Sequence, residues 1–185
     1  MEAADESGLP DDIEGVPVVA AVVEALSAAG TLEEGVRLVL AEMGESMGWL
    51  FGACWEVDPG RGALRVRQTW CARAYHSTVF ETDSRAQNFL PGEGLPGRVW
   101  ATGAPVWVQD ARVEVNFPRH AAAAREGLRA ALAFPAQCDG QLYGVLEFYT
   151  DWLRAPTPAL LPVFERLGEE IGRFMAGHGS AAAPQ

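Results

Sequence analysis

Two pairs of apolar stretches in this chain are each joined by a turn too short to hold a crossover helix. "WLFGACWEV" runs through "DPGRG" into "ALRVRQTWC", and "LRAALAFPAQ" runs through "CDG" into "QLYGVLEFY". Strands joined so closely must pair antiparallel, because a parallel pair needs a connection of a dozen residues or more. Asp139-Gly140 is the strong turn signal of the second hairpin. In the first, Leu64, Val66 and Trp70 are expected on one face, with Arg65 and Arg67 on the other. Pro135 is expected at a strand end or a bulge, since it cannot donate to a ladder.

Helical signals flank the hairpins. "VVAAVVEALSAAG" stops at Gly30, and "TLEE" is a capping box with Thr31 as N-cap and Glu34 three residues on. Leu32, Val36, Val39, Leu40, Met43 and Met47 recur at helical spacing. Near the other end Thr157 is expected as a cap with Pro158 at the first helical position. Leu160, Phe164, Leu167, Ile171 and Phe174 then form a stripe that ends at Gly177. Short helices are expected over "STVFETDSRAQNF", from about Leu95 to Thr102, and over "PRHAAAAREG", with "PVWVQD" as a short strand. The fold class that follows is α+β: a central antiparallel sheet of five or six strands, terminal helices on one face, short helices and loops on the other. Residues 1–14 are expected as an acidic, disordered tail, 15–176 as the domain, and 177–185 as a second disordered tail.

"GEGLPG", residues 92–97, matches the G-x-G-x-x-G fingerprint of a dinucleotide-binding turn letter for letter. That turn works only after a buried strand and before a full helix whose N-terminus faces the phosphate. Here a polar stretch precedes it, Gly103 and Pro105 cut the following helix short, and Glu93 would repel a pyrophosphate. Context refuses the nucleotide reading.

Charge and composition exclude further classes. The net charge is -11 and the 14 basic residues are all Arg, with no cluster among them. Nucleic acid and anionic membrane both require clustered positive charge, so neither is expected as a partner. Without Lys there is no Schiff-base or P-loop lysine. The longest apolar stretch is too short to span a bilayer, and no basic region precedes it, so a cytoplasmic protein is expected. Cys54, Cys71 and Cys138 are far apart and form no C-x-x-C pair, which points to neither a disulfide framework nor a metal site.

"PGEGLPGRVWATGAPVWVQD", then "NFPRH", then "GLRAALAFPAQCDGQLYGVLEFY" resembles a GAF domain of the kind found in bacterial sensor kinases and cyclases. The likeness runs over roughly residues 31 to 176. It implies that the Gly-Pro segment feeds a short helix beside a pocket. Bilin-binding members carry a Cys-His pair after the "NFP" position; here the pair is Arg119-His120, so a covalent bilin at that site is excluded. For haem, His76 and His120 are the ligand candidates outside the tail, although a lone His is more often structural. The lone-domain free methionine-(R)-sulfoxide reductases use cysteines where this chain has Pro96 and Ala123, so no catalysis and no catalytic residue are expected. The cyclic-nucleotide signature Asn-Lys-Phe-Asp-Glu cannot be met without Lys.

The resemblance places a pocket between the sheet and the segments around residues 75 to 125. It implies His120, Arg119, Trp100, Trp107, Asp110, Trp70, Phe134 and Phe117 as ligand-binding candidates, and His120 stands where chromophore-binding relatives hold theirs. The expected function is a small-molecule sensor, of unknown ligand and cofactor, that passes its state through a helical homodimer to a separate kinase or regulator. The alternative is a ligand-free dimerisation scaffold. Its sign would be a second stripe on the last helix, Leu161, Gly168, Gly172 and Met175, where the glycines allow close helix contact. A sensor is expected to keep an open pocket, and a scaffold to fill it.

Overall fold

The computed structural model of the protein describes residues 15–153 and 158–183. Helix α1 (Gly15–Ala28) is followed by α2 (Leu32–Ser46). The capping box forms: Thr31 Oγ1 accepts the Glu34 N–H at 3.2 Å, while the Glu34 carboxylate accepts the Gly30 N–H at 2.9 Å. Two orphan donors at the helix start are thereby satisfied.

Strands β1 (Phe51–Asp58), β2 (Ala63–Cys71), β3 (Asn88–Phe89), β4 (Val106–Val108), β5 (Ala131–Cys138) and β6 (Gln141–Tyr149) form one sheet in the order β3-β2-β1-β6-β5-β4. Every neighbouring pair is antiparallel. Helices α3 (Val79–Ala86), α4 (Gly94–Thr102) and α5 (His120–Arg125) connect the strands, and α6 (Leu161–Gly177) closes the fold after a 3-10 turn at Pro158–Leu160. The Thr157 cap and the 1–14 tail expected from sequence lie outside the described residues. No helix among those described is long and apolar enough to cross a membrane.

Alternation along the strands sorts two hydrophobic layers. Phe51, Ala53, Trp55 and Val57 of β1 face the short helices, together with Val145 and Tyr149 of β6. Cys54, Leu132, Phe134, Leu146 and Phe148 face α1, α2 and α6. In β2 the alternation breaks. Cys54 pairs with Gln68 but Trp55 pairs with Val66, so Arg67 is an extra residue in a bulge. Leu64 and Val66 thus face the short helices, while Trp70 turns to the α2 side and lies against Gly44. The uniform facing expected for β2 holds only up to Val66.

At the second hairpin both turn residues have positive φ, Asp139 at 51° and Gly140 at 75°. That is the backbone a two-residue Asp-Gly turn requires. Pro135 lies inside β5, not at its end. It stands beyond Ala133, the last residue that pairs with β4, and beside a bulge at Ala136 and Gln137. A missing N–H is tolerated at such a place.

Gly168 and Gly172 settle how α6 lies on the sheet. A Cβ at Gly168 would run into the Pro135 carbonyl oxygen, and one at Gly172 into the backbone of Gln137. The glycine stripe is consumed inside the domain, with Met175 buried beside it; of the four residues expected to pair helices, Leu161 alone is exposed. Past α6 the chain stays on the domain as far as Ala183, whose N–H donates to the Leu142 carbonyl at 2.7 Å. The free tail expected from residue 177 onward does not begin there.

The α6 contact makes a direct prediction. Gly172→Ala should lower stability by about 1–3 kcal/mol or more, because backbone on the other side cannot give way. Gly177→Ala, with nothing within 4 Å of the added methyl, should be neutral or slightly stabilising. Urea unfolding of the two variants against the parent protein measures both.

Candidate functional site

Strand β6 lies in the middle of the sheet, paired with β1 on one side and β5 on the other. Its Glu147 sits opposite Ala53 and Ala133 and points to the short-helix side along with Val145 and Tyr149. The side chain has no exposed surface. An unpaired carboxylate there would be very costly, and the structure pairs it. Arg119, just before α5 and 1% exposed, reaches in with both ends of its guanidinium. Nη1 donates to Glu147 Oε1 at 2.7 Å and Nη2 to Oε2 at 2.8 Å. Nη1 also donates to Ser84 Oγ of α3, and Nη2 to the Tyr149 hydroxyl, each at 2.9 Å. Tyr149 in turn donates to Glu147 Oε2.

Five rings surround this cation. The guanidinium carbon lies 4.9 Å from the ring centre of Phe80, 5.1 Å from Trp55, 5.3 Å from Phe89 and Phe117, and 5.6 Å from Tyr149. All are within the range of cation–π attraction. Burial alone would lower the Arg119 pKa, but the Glu147 carboxylate opposite outweighs it and the net shift is upward. Arg119 is held as a cation. Burial pushes the Tyr149 hydroxyl well above its ordinary value, so it stays a neutral donor. The buried indole N–H of Trp55 finds no acceptor among the described residues.

A second carboxylate secures α5 at its other end. Glu126, the residue after α5, accepts the backbone N–H groups of Thr78, Val79 and Phe80 at the start of α3. It also accepts the hydroxyls of Tyr75 and Ser77, at 2.9 and 2.8 Å. Partial burial would raise the Glu126 pKa, but the Ser77 hydroxyl and the α3 amides lower it further than burial lifts it. A short helix whose own N-cap residue Thr78 makes no side-chain cap bond is thus capped from a distance.

The structure divides the eight candidate residues. Arg119 and Phe117 belong to the charged cage, and Trp100 of α4 packs on the same inner cluster. Trp70, Trp107 and Phe134 stand on the opposite face of the sheet with the terminal helices. Asp110 forms a two-point ion pair with Arg112, at 2.7 and 2.6 Å, and accepts the Arg112 N–H within the same turn. His120 is exposed, its Nδ1 at 3.2 Å from the Phe117 carbonyl. His76 is exposed as well. Glu147, Tyr149, Ser84, Phe80 and Phe89 were not anticipated. Glu147 was the readable one, a lone acid between Leu146 and Phe148 in an otherwise apolar strand.

Two open grooves lie outside this cage. A shallow groove of about 580 Å³ runs over the outside of α3 and α5, lined by Val79, Thr82, Ala86, Ala121 and Ala122 among others. Another of about 500 Å³ lies between the end of α2 and β2, beside Trp49 and Trp70. The three cysteines are free, and burial pushes the Cys54 thiol up to about 12.

The family model of the GAF domain matches residues 29–176, and the chain belongs to that family. No curated protein matches it. Among solved structures, the GAF domain of a phosphoenolpyruvate-protein phosphotransferase from Coxiella burnetii superposes with a TM-score of 0.75 at 17% identity, covering 91% of this chain and 96% of that one. The A. aeolicus nlh2 GAF domain gives 0.71 at 19% identity, over 89% and 97%. The free methionine-R-sulfoxide reductase of Neisseria meningitidis, in complex with its substrate, gives 0.73 at 17% identity over 96% and 98%. That last likeness corrects the expectation of no catalysis. Enzymes share this fold along nearly the whole chain, so the fold leaves an enzymatic role open.

Two predictions rest on these carboxylates. Glu147→Gln should cost about 3–5 kcal/mol by stranding the Arg119 charge, whereas Arg119→Met combined with Glu147→Leu should recover most of that loss; thermal unfolding of the three proteins measures it. Glu126, whose folded pKa is lowered, contributes stability in full above its unfolded value of roughly 4.3. That contribution fades as pH falls through the lower folded value. Glu126→Gln should therefore flatten the loss of stability between about pH 5 and pH 3, read from urea midpoints across that range.

Proposed function

We propose that this chain is a small-molecule-sensing GAF module of bacterial, cytoplasmic signal transduction that passes its ligand state to a separate partner protein through a helical dimer. The Arg119–Glu147 pair is the observation that carries this reading. Two full charges ringed by aromatic side chains are no more stabilising than well-packed apolar residues of the same volume. Stability alone gives no reason to keep them on the inner face of the sheet. A few converging polar groups in an apolar surround are what ligand sites are made of. For the dimer, the support is the outward surface of the terminal helices, where Val23 and Leu161 are partly exposed.

The scaffold reading has one observation in its favour. The space between sheet and short helices holds Arg119 and its rings, which is the filled interior a ligand-free scaffold would have. Native mass spectrometry of protein purified from its own host separates the two. A mass lost on denaturation, on a dimer, is the result expected of a sensor. Bare polypeptide mass, followed by no stabilisation from any member of a broad metabolite collection, would leave the scaffold.

A further inference from the structure

We infer that the inner site is a receptor for a small organic cation, and that Arg119 occupies it as an internal stand-in for that ligand. The inference rests on the sensing reading above and names the chemical class it would sense. Its basis is a division of labour. Glu147 and Tyr149 are fixed on β6, Trp55 on β1, Phe89 on β3, and Phe80 and Ser84 on α3. These residues supply a carboxylate, two hydroxyls and four rings. A buried carboxylate facing a ring of aromatic groups is built for a guanidinium or ammonium ion, by ion pairing and by cation–π attraction.

The occupant comes from a different kind of segment. Arg119 ends a loop, residues 111–119, in which Val113 and Val115 are 76% and 100% exposed. That loop is tied to the rest by Arg98 to Glu114 at 3.1 Å, by Asn116 to Gly92 and Gly94 at 2.8 and 2.9 Å, and by the buried Ala111 and Phe117. The surface ion pair is worth little by itself. The receptor residues stand on other elements, so they can stay in place while the loop, Phe117 with it, moves. A cation from solution that matched Arg119 would release the loop, and with it α5, whose far end carries the Glu126 clamp on α3. Binding would in this way be read at the exposed α3–α5 surface. Competition with an internal occupant weakens the apparent affinity by the fraction of molecules whose site is vacated.

Propylguanidinium, the severed end of an arginine side chain, is the probe, and propylurea is its neutral counterpart. Arg119→Gly should melt at a lower temperature than the parent, and millimolar propylguanidinium should restore most of the loss in a saturable way, with propylurea inert. In the parent protein the same cation should increase amide hydrogen exchange over residues 112–126 and leave β1 and β6 unchanged, a readout that holds even where the variant does not fold. Equal response to the two compounds in both measurements overturns the inference. A host-derived ligand that is neutral or anionic would also overturn it while leaving the sensing reading in place.

Discussion

A carboxylate in the middle strand of a sheet covered on both faces has to be matched by a cation that reaches it through the protein. Glu147 imposes that condition, and the short-helix side of this domain is arranged to meet it. Arg119 supplies the charge; Ser84 and Tyr149 take up its other two Nη hydrogens, and the rings of Trp55, Phe80, Phe89 and Phe117 surround it. The position of α5 follows, because Arg119 fixes one of its ends to the sheet. Glu126 fixes the other to the start of α3. Two acids thus hold a helix of six residues, too short to be stable on its own.

The opposite face is built on different terms. There α1, α2 and α6 cover the sheet with apolar side chains and glycines, and α6 lies so close to β5 that backbone touches backbone at Gly168 and Gly172. Among the described residues that layer carries no buried ion pair. The side that holds the charges is also the side made of short helices and exposed loop. Such segments open at lower free energy than a packed core. The fold is shared with a free methionine-R-sulfoxide reductase and with the GAF domain of a phosphoenolpyruvate-protein phosphotransferase, and one fold can carry different functions.

Much of the frame was legible in the sequence because its signals are local. The Thr31–Glu34 box, the Asp139-Gly140 turn and the Gly103 stop are each set by a few adjacent residues. The bulge at Arg67 was not legible, since it arises from pairing with β1, and it moved Trp70 to the far side of the sheet. Phe134 and Trp107 were misplaced relative to the site for a related reason: the choice of face depends on which layer each strand meets. Glu147 was missed because its partner lies 28 residues away. A hydrophobic strand with one acid gives no hint of which arginine will answer it. The resemblance implies Arg119 only as a polar group of the pocket beside His120, and the structure gives it another reason to matter.

Nitrogen-15 NMR of the arginine side chains, on protein freed of any ligand, tests the central claim most directly. Held between Glu147, Ser84 and Tyr149 and ringed by aromatic groups, the Arg119 Nη protons should appear as separate, slowly exchanging signals with large ring-current shifts. They should vanish in Arg119→Met. If the Arg119 guanidinium instead averages rapidly like those of exposed arginines, the charge is not held on the inner face, and the account of the site built on it is wrong.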